Sequence, residues 1–96
     1  MFVILLKFSD NKKKAKEYMP AHNEWINQGM DEGIFLVVGS IKNGMGGAIL
    51  ATNTSLENIQ IRVNNDPFVI EKVVTAEILE ISPNRVDERF NFLLSE

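Results

Sequence analysis

Phe2-Val3-Ile4-Leu5-Leu6 is a short, unbroken apolar run with β-branched members, the pattern of a strand covered on both faces. No other segment constrains the fold as much. A strand without charges to blunt an edge belongs inside a sheet, and a sheet whose central strand is apolar on both sides needs cover on both sides. The run ends at Lys7 and Asp10. It is therefore far shorter than the ~20 apolar residues of a membrane-spanning helix, and no small-residue cleavage site follows it. The expectations are a cytoplasmic location and no membrane partner.

The rest of the chain supplies the cover. Lys12 to Tyr18 and Pro20 to about Asp31 read as two helical pieces divided by Pro20, because proline lacks the backbone donor but suits a first helical position. Gly33 stops the second piece, and Ile34-Phe35-Leu36-Val37-Val38 follows as a strand ending near Gly39 and Ser40. Asn43-Gly44-Met45-Gly46-Gly47 reads as a hairpin loop, with residues suited to positive φ. A third strand is expected over Ala48 to Thr52, antiparallel to the second. Ser55 is a candidate N-cap for a helix with Leu56, Ile59 and Val63 on its apolar face, and Asn64-Asn65-Asp66-Pro67 ends it. Val73 to Ile81 reads as the last strand, and Ser82-Pro83 opens a terminal helix with Val86, Phe90, Leu93 and Leu94 on one side.

The order β-α-β-β-α-β plus a C-terminal helix defines an α+β, ferredoxin-like fold: a four-stranded antiparallel sheet with both main helices on one face. Strands one, two and four are apolar in nearly consecutive positions, so the open face of the sheet needs cover, and a second copy of the chain is the simplest one. A homodimer is expected. Its 96 residues fit a single domain, 1–96, without repeats or linkers.

Composition narrows the function. The hydrophobic fraction is 45%, charged residues are 24% and the net charge is −3. Lys12-Lys13-Lys14 is the sole basic run, which argues against nucleic acid as a partner. There is no cysteine, hence no disulfide, thiolate nucleophile or thiolate metal site. With one histidine, a metal site would have to be rich in carboxylates, and none is expected. The glycines of residues 44–47 lack the strand and helix that flank a phosphate loop, and no cofactor is expected.

His22, the single histidine, shares a three- and four-residue spacing with Ala15, Tyr18, Met19, Trp25, Ile26 and Gly29, so its titratable ring faces the core from an apolar helical stripe. Two readings follow: a core histidine satisfied by the backbone, or an acid/base group. Placement in the first turn after Pro20 would favour the neutral imidazole through the helix dipole. Asp66 belongs to the loop before the last strand and can reach a neighbouring helix. As a turn residue before proline it needs no function. Beside His22 it would fix the tautomer and raise the basicity of the other ring nitrogen. Tyr18 and Trp25 share the histidine's face and are candidates to line a pocket, as is the Ser40 hydroxyl.

Taken in order, the apolar first strand, Pro20-Ala21-His22, Gly33-Ile34-Phe35-Leu36-Val37-Val38-Gly39, the glycines Gly44, Gly46 and Gly47, and Asn65-Asp66-Pro67-Phe68 resemble the YCII-related, or YciI-like, domains over nearly the whole chain. The resemblance implies a dimeric α/β barrel with a pocket in which His22 and Asp66 form a catalytic pair. It implies no settled reaction; a few relatives handle chlorinated or hydroxylated aromatic rings. The chain departs from the pattern at Met19, where many members carry arginine, and at Gly39-Ser40, where they carry Gly-Pro. The function expected is that of a small-molecule enzyme of lyase or isomerase type, with proton transfer, isomerisation or elimination on a cyclic or aromatic substrate. The alternative is a non-catalytic dimeric module that binds a metabolite or a partner protein.

Overall fold

The computed structural model describes residues 1–95. Four strands, β1 (Phe2–Phe8), β2 (Phe35–Ile41), β3 (Gly46–Ala51) and β4 (Val74–Glu80), form one antiparallel sheet in the order β2-β3-β1-β4. The ferredoxin-like α+β fold expected from the sequence is therefore present, with β1 inside the sheet. Both β2 and β3 run further toward their hairpin than the apolar residues alone indicate, and a short 3-10 turn over Lys42–Gly44 joins them.

The helices are α1 (Ala15–Asp31), α2 (Leu56–Asn64) and the four-residue α3 (Pro67–Ile70). Pro20 does not divide the first of them. A 3-10 turn spans Lys12–Lys14, and α1 then runs unbroken through Pro20 to Asp31. Lys16, whose carbonyl loses its partner to the proline, and Pro20 itself are both exposed, so the carbonyl left without its helical bond is on the solvent side and the helix continues past it. His22 consequently sits two turns into α1. The dipole argument for a neutral imidazole lapses at that depth, since the effect fades beyond the first turn.

Alternation along the strands sorts side chains into two layers. Phe2, Ile4 and Leu6 of β1, with Ile49 and Ala51 of β3, face the helices and are buried against Trp25, Ile59 and Val63. The other face carries Val3 and Leu5, paired in register with Leu50 and Ala48 of β3 and with Leu79 and Glu77 of β4. Val37 joins them opposite Leu50. Within one chain this face is open: Val37 is 51% exposed and Leu79 45%.

The expected terminal helix is not an α-helix. Residues 81–87 are irregular, and a 3-10 segment over Glu88–Ser95 bends at Phe90. Leu93 alone of its apolar residues is buried, while Phe90 and Leu94 point to solvent. An amphipathic helix is held mainly by what its apolar face packs on, and a single chain offers this segment little beyond the Leu93 contact.

Among the described residues, Thr52 has a buried hydroxyl left unsatisfied. Thr52 is 4% exposed and its Oγ1 makes no hydrogen bond, although its backbone N–H donates to the Ile34 carbonyl at 2.9 Å. Valine has the same branched shape without the hydroxyl, and Thr52→Val should stabilise the fold by about 1 kcal/mol. Thermal unfolding should register this as a rise of roughly 4–8 °C; a fall would show that the hydroxyl has a partner in solution.

Candidate functional site

Asp66 owes its position to local chain chemistry. Extended backbone (φ −63°, ψ 123°) places it before α3, where its Oδ1 accepts the Phe68 N–H at 3.0 Å as an N-cap and Pro67 fills the first helical position. The carboxyl group is completely buried. Because α3 lies against α1, the same Oδ1 meets His22 Nδ1 at 2.7 Å. His22 is itself 9% exposed. An ionised carboxylate only accepts hydrogen bonds, so Nδ1 donates and Nε2 is left as the ring nitrogen able to take or give a proton. The sequence brought these two residues forward as candidates, and the structure places them in direct contact.

Aromatic rings hold the imidazole plane. Phe68 stacks on it with centroids 3.9 Å apart and planes within 4°, and Trp25 lies at 5.8 Å on a plane tilted by 23°. One short segment thus fixes the histidine twice, through the Asp66 carboxylate and through the Phe68 ring. Asp66 Oδ2 is buried without a hydrogen-bond partner among the described residues.

His22 opens onto a cavity of about 290 Å³ between α1, the β2–β3 hairpin end of the sheet and α3. Its walls are mainly apolar, from residues such as Leu6, Ile26, Val38, Ile49 and Phe68, with Asn23 and Ser40 as further polar side chains. Ser40 reaches it because β2 extends past Val38 and pairs Ser40 with Gly47, which pairs in turn with Leu6. Met19 also lines the cavity.

Two of the expected lining residues do not. Tyr18 and Trp25 share the helical face of His22, but neither forms the cavity wall. The indole N–H of Trp25 donates to the Arg62 carbonyl at 3.0 Å, turning that edge toward α2. Tyr18 is drawn to Glu71: desolvation, the charges of Glu17 and Glu71 and a hydrogen bond to Glu71 raise its phenol above the ordinary range. It is a donor there, not a base near neutral pH. In their place the structure brings in Phe68 and Asn23. The Asp66-Pro67 pair, an N-cap residue followed by proline, was the available signal for a helix start that would have carried Phe68 toward His22.

Among the described residues no group of three or more His, Cys, Asp or Glu side chains could hold a metal ion, and no helix is long and apolar enough to cross a membrane.

A four-stranded ferredoxin-like sheet with a histidine–carboxylate pair beside a small apolar cavity defines the class of domain. The chain belongs to the YCII-related domain family, whose model matches residues 1–83. Among solved structures it is similar to the 5-chloro-2-hydroxyhydroquinone dehydrochlorinase of Burkholderia phenoliruptrix AC1100 in complex with 2,5-dihydroxybenzoquinone. That match has a TM-score of 0.68 and 14% sequence identity, and covers 84% of this chain and 93% of the other. At this identity the likeness is one of fold. No curated protein matches the chain.

Proposed function

We propose that the domain is an enzyme acting on a small cyclic or aromatic molecule, with His22 as general acid/base and Asp66 as its positioning partner. The observation that carries this reading is the buried 2.7 Å contact between His22 Nδ1 and Asp66 Oδ1 at the wall of the cavity. Nε2 takes a proton from an acidic C–H or O–H of the substrate, and Asp66 stabilises the imidazolium that forms. The same nitrogen returns the proton at another position in an isomerisation, or the electron pair left behind expels a leaving group in an elimination. A cavity of ~150 Å³ accommodates benzene, so about 290 Å³ suits one ring with substituents. The hydroxyhydroquinone named for the structurally similar dehydrochlorinase is a molecule of that size, which supports a substituted ring as the first class to test. Ser40 and Asn23 supply hydrogen bonds to its oxygens. Steady-state assays over halogenated and hydroxylated aromatics, lactones and enol acids test the proposal. Turnover of one class, abolished with His22, is the expected result; binding without turnover favours a non-catalytic ligand-binding module.

The working unit in this reading is a homodimer joined through the open sheet face. Val3, Leu5, Leu50, Val37 and Leu79 form a continuous apolar surface there by register, larger in character than the scattered apolar residues of a monomer's exterior. Sedimentation at micromolar concentration should show two-chain particles, with roughly 2,000 Å² or more buried between them. Leu79→Glu, at a position 45% exposed in the single chain, should give folded monomers. A monomeric wild type would remove the dimer from the proposal.

A further inference from the structure

The charge of the cavity wall carries an inference about the substrate. Among the described residues that line the cavity none is a lysine, arginine, aspartate or glutamate, and their polar side chains are those of His22, Asn23 and Ser40. Lys12 approaches one lining residue, Phe8, but its ammonium rests over that ring at 5.1 Å from the centroid. Asp66, buried behind the imidazole, adds no positive charge at the back of the cavity. An anionic substituent entering here would leave water for an apolar wall that holds no lysine or arginine to pair with it. A hydroxyl or keto oxygen meets no such penalty, since Ser40 and Asn23 both donate and accept.

From this we infer that the cavity selects uncharged hydroxylated or keto-substituted rings and rejects their carboxylated counterparts. The inference rests on the reading of the cavity as the reaction site, and it adds a selection by charge to that reading. Met19 is the residue through which the selection can be altered. It lines the cavity one helical turn before His22 and is 40% exposed, so a cation placed there keeps its hydration on one side and its field on the other.

The sole histidine gives one set of imidazole resonances, which makes the test direct. Labelled protein is titrated with resorcinol and, separately, with 3,5-dihydroxybenzoate, which differs by one carboxylate. Resorcinol should shift the His22 ring signals saturably, and the carboxylate should bind at least about tenfold more weakly, a difference of about 1.4 kcal/mol. Met19→Lys, read as the ratio of the two affinities in the same variant, should narrow or invert that ratio, because the added cation acts on the carboxylated ring and not on its uncharged counterpart. Equal or tighter binding of the carboxylate by the unaltered protein would overturn the charge selection and leave the catalytic reading standing. If neither ring moves the His22 signals, the cavity is not a ring-binding site and both fall together.

Discussion

His22→Gln should lower turnover by about 10²–10⁴-fold, the range for loss of a positioned general base, and Asp66→Asn by a smaller factor of about 10². The difference follows from the hydrogen bonds of Asp66. Its Oδ1 accepts from both the Phe68 N–H and His22 Nδ1, so an asparagine keeps its carbonyl oxygen at that position and places its amide nitrogen where Oδ2 is now. Rotating the amide would set one donor against another at Phe68. The histidine tautomer thus survives, and what is lost is the negative charge that stabilises the imidazolium. The amide nitrogen occupies a pocket in which Oδ2 has no hydrogen-bond partner, and its unpaired N–H groups should cost roughly 1–3 kcal/mol of stability. Asp66→Ala goes further, stripping the α3 cap and leaving Nδ1 and the Phe68 N–H unpaired, with a loss of about 3–5 kcal/mol if the pair is charged. Because the two residues act as a unit, the double variant His22→Gln/Asp66→Asn should be about as slow as His22→Gln alone. Rate losses that multiply in the double variant, or an Asp66→Asn protein with full turnover, would falsify the paired mechanism.

The parts of this site that were legible in the sequence are those governed by short-range rules. The apolar run of Phe2 to Leu6 marks the inner strand, the Asn43–Gly47 stretch marks the hairpin, and Ser55 marks the start of α2, where its side chain accepts the Asn58 N–H at 3.1 Å. The contact of His22 with Asp66 could be anticipated from the topology, but its distance depends on α3, four residues that the Asp-Pro turn disguised as the end of α2. Tyr18 and Trp25 share a helical face with His22, yet a stripe only says which way side chains start out. Where their polar atoms end depends on partners distant in sequence, Glu71 for one and Arg62 for the other. Pro20 shows the opposite error: its local preference for a helix start gives way to packing along the whole of α1, since only an exposed carbonyl loses its bond. The spacing of Val86, Phe90, Leu93 and Leu94 suits a helix, but a periodic face stabilises a helix only when something lies against it.

Gly46→Ala should be strongly destabilising for a change of a single methyl group. Gly46 opens β3 with φ +132°, a conformation that side-chain-bearing residues rarely adopt, and a Cβ built there collides with the backbone carbonyl of Leu6 on β1. Neither atom is the end of a flexible side chain, so relief requires β1 and β3 to separate where Lys7 pairs with Gly46. Backbone strain of about 1–3 kcal/mol and a comparable overpacking term together amount to roughly 2–6 kcal/mol, a large share of the about 5–15 kcal/mol that holds a domain folded. Gly44 provides the comparison. It too has positive φ, +70°, but nothing lies within 4 Å of the point a Cβ would occupy, and Gly44→Asn should cost little because asparagine tolerates the left-handed region. Chemical denaturation of both variants separates backbone contact from backbone angle as the cause. A similar small loss in the two would show that the strands move apart at little cost. The expected gap of several kcal/mol carries a functional consequence as well: Gly46 and Gly47 form the cavity wall with Ser40, so a Gly46→Ala protein that still folds should also have lost its ring binding.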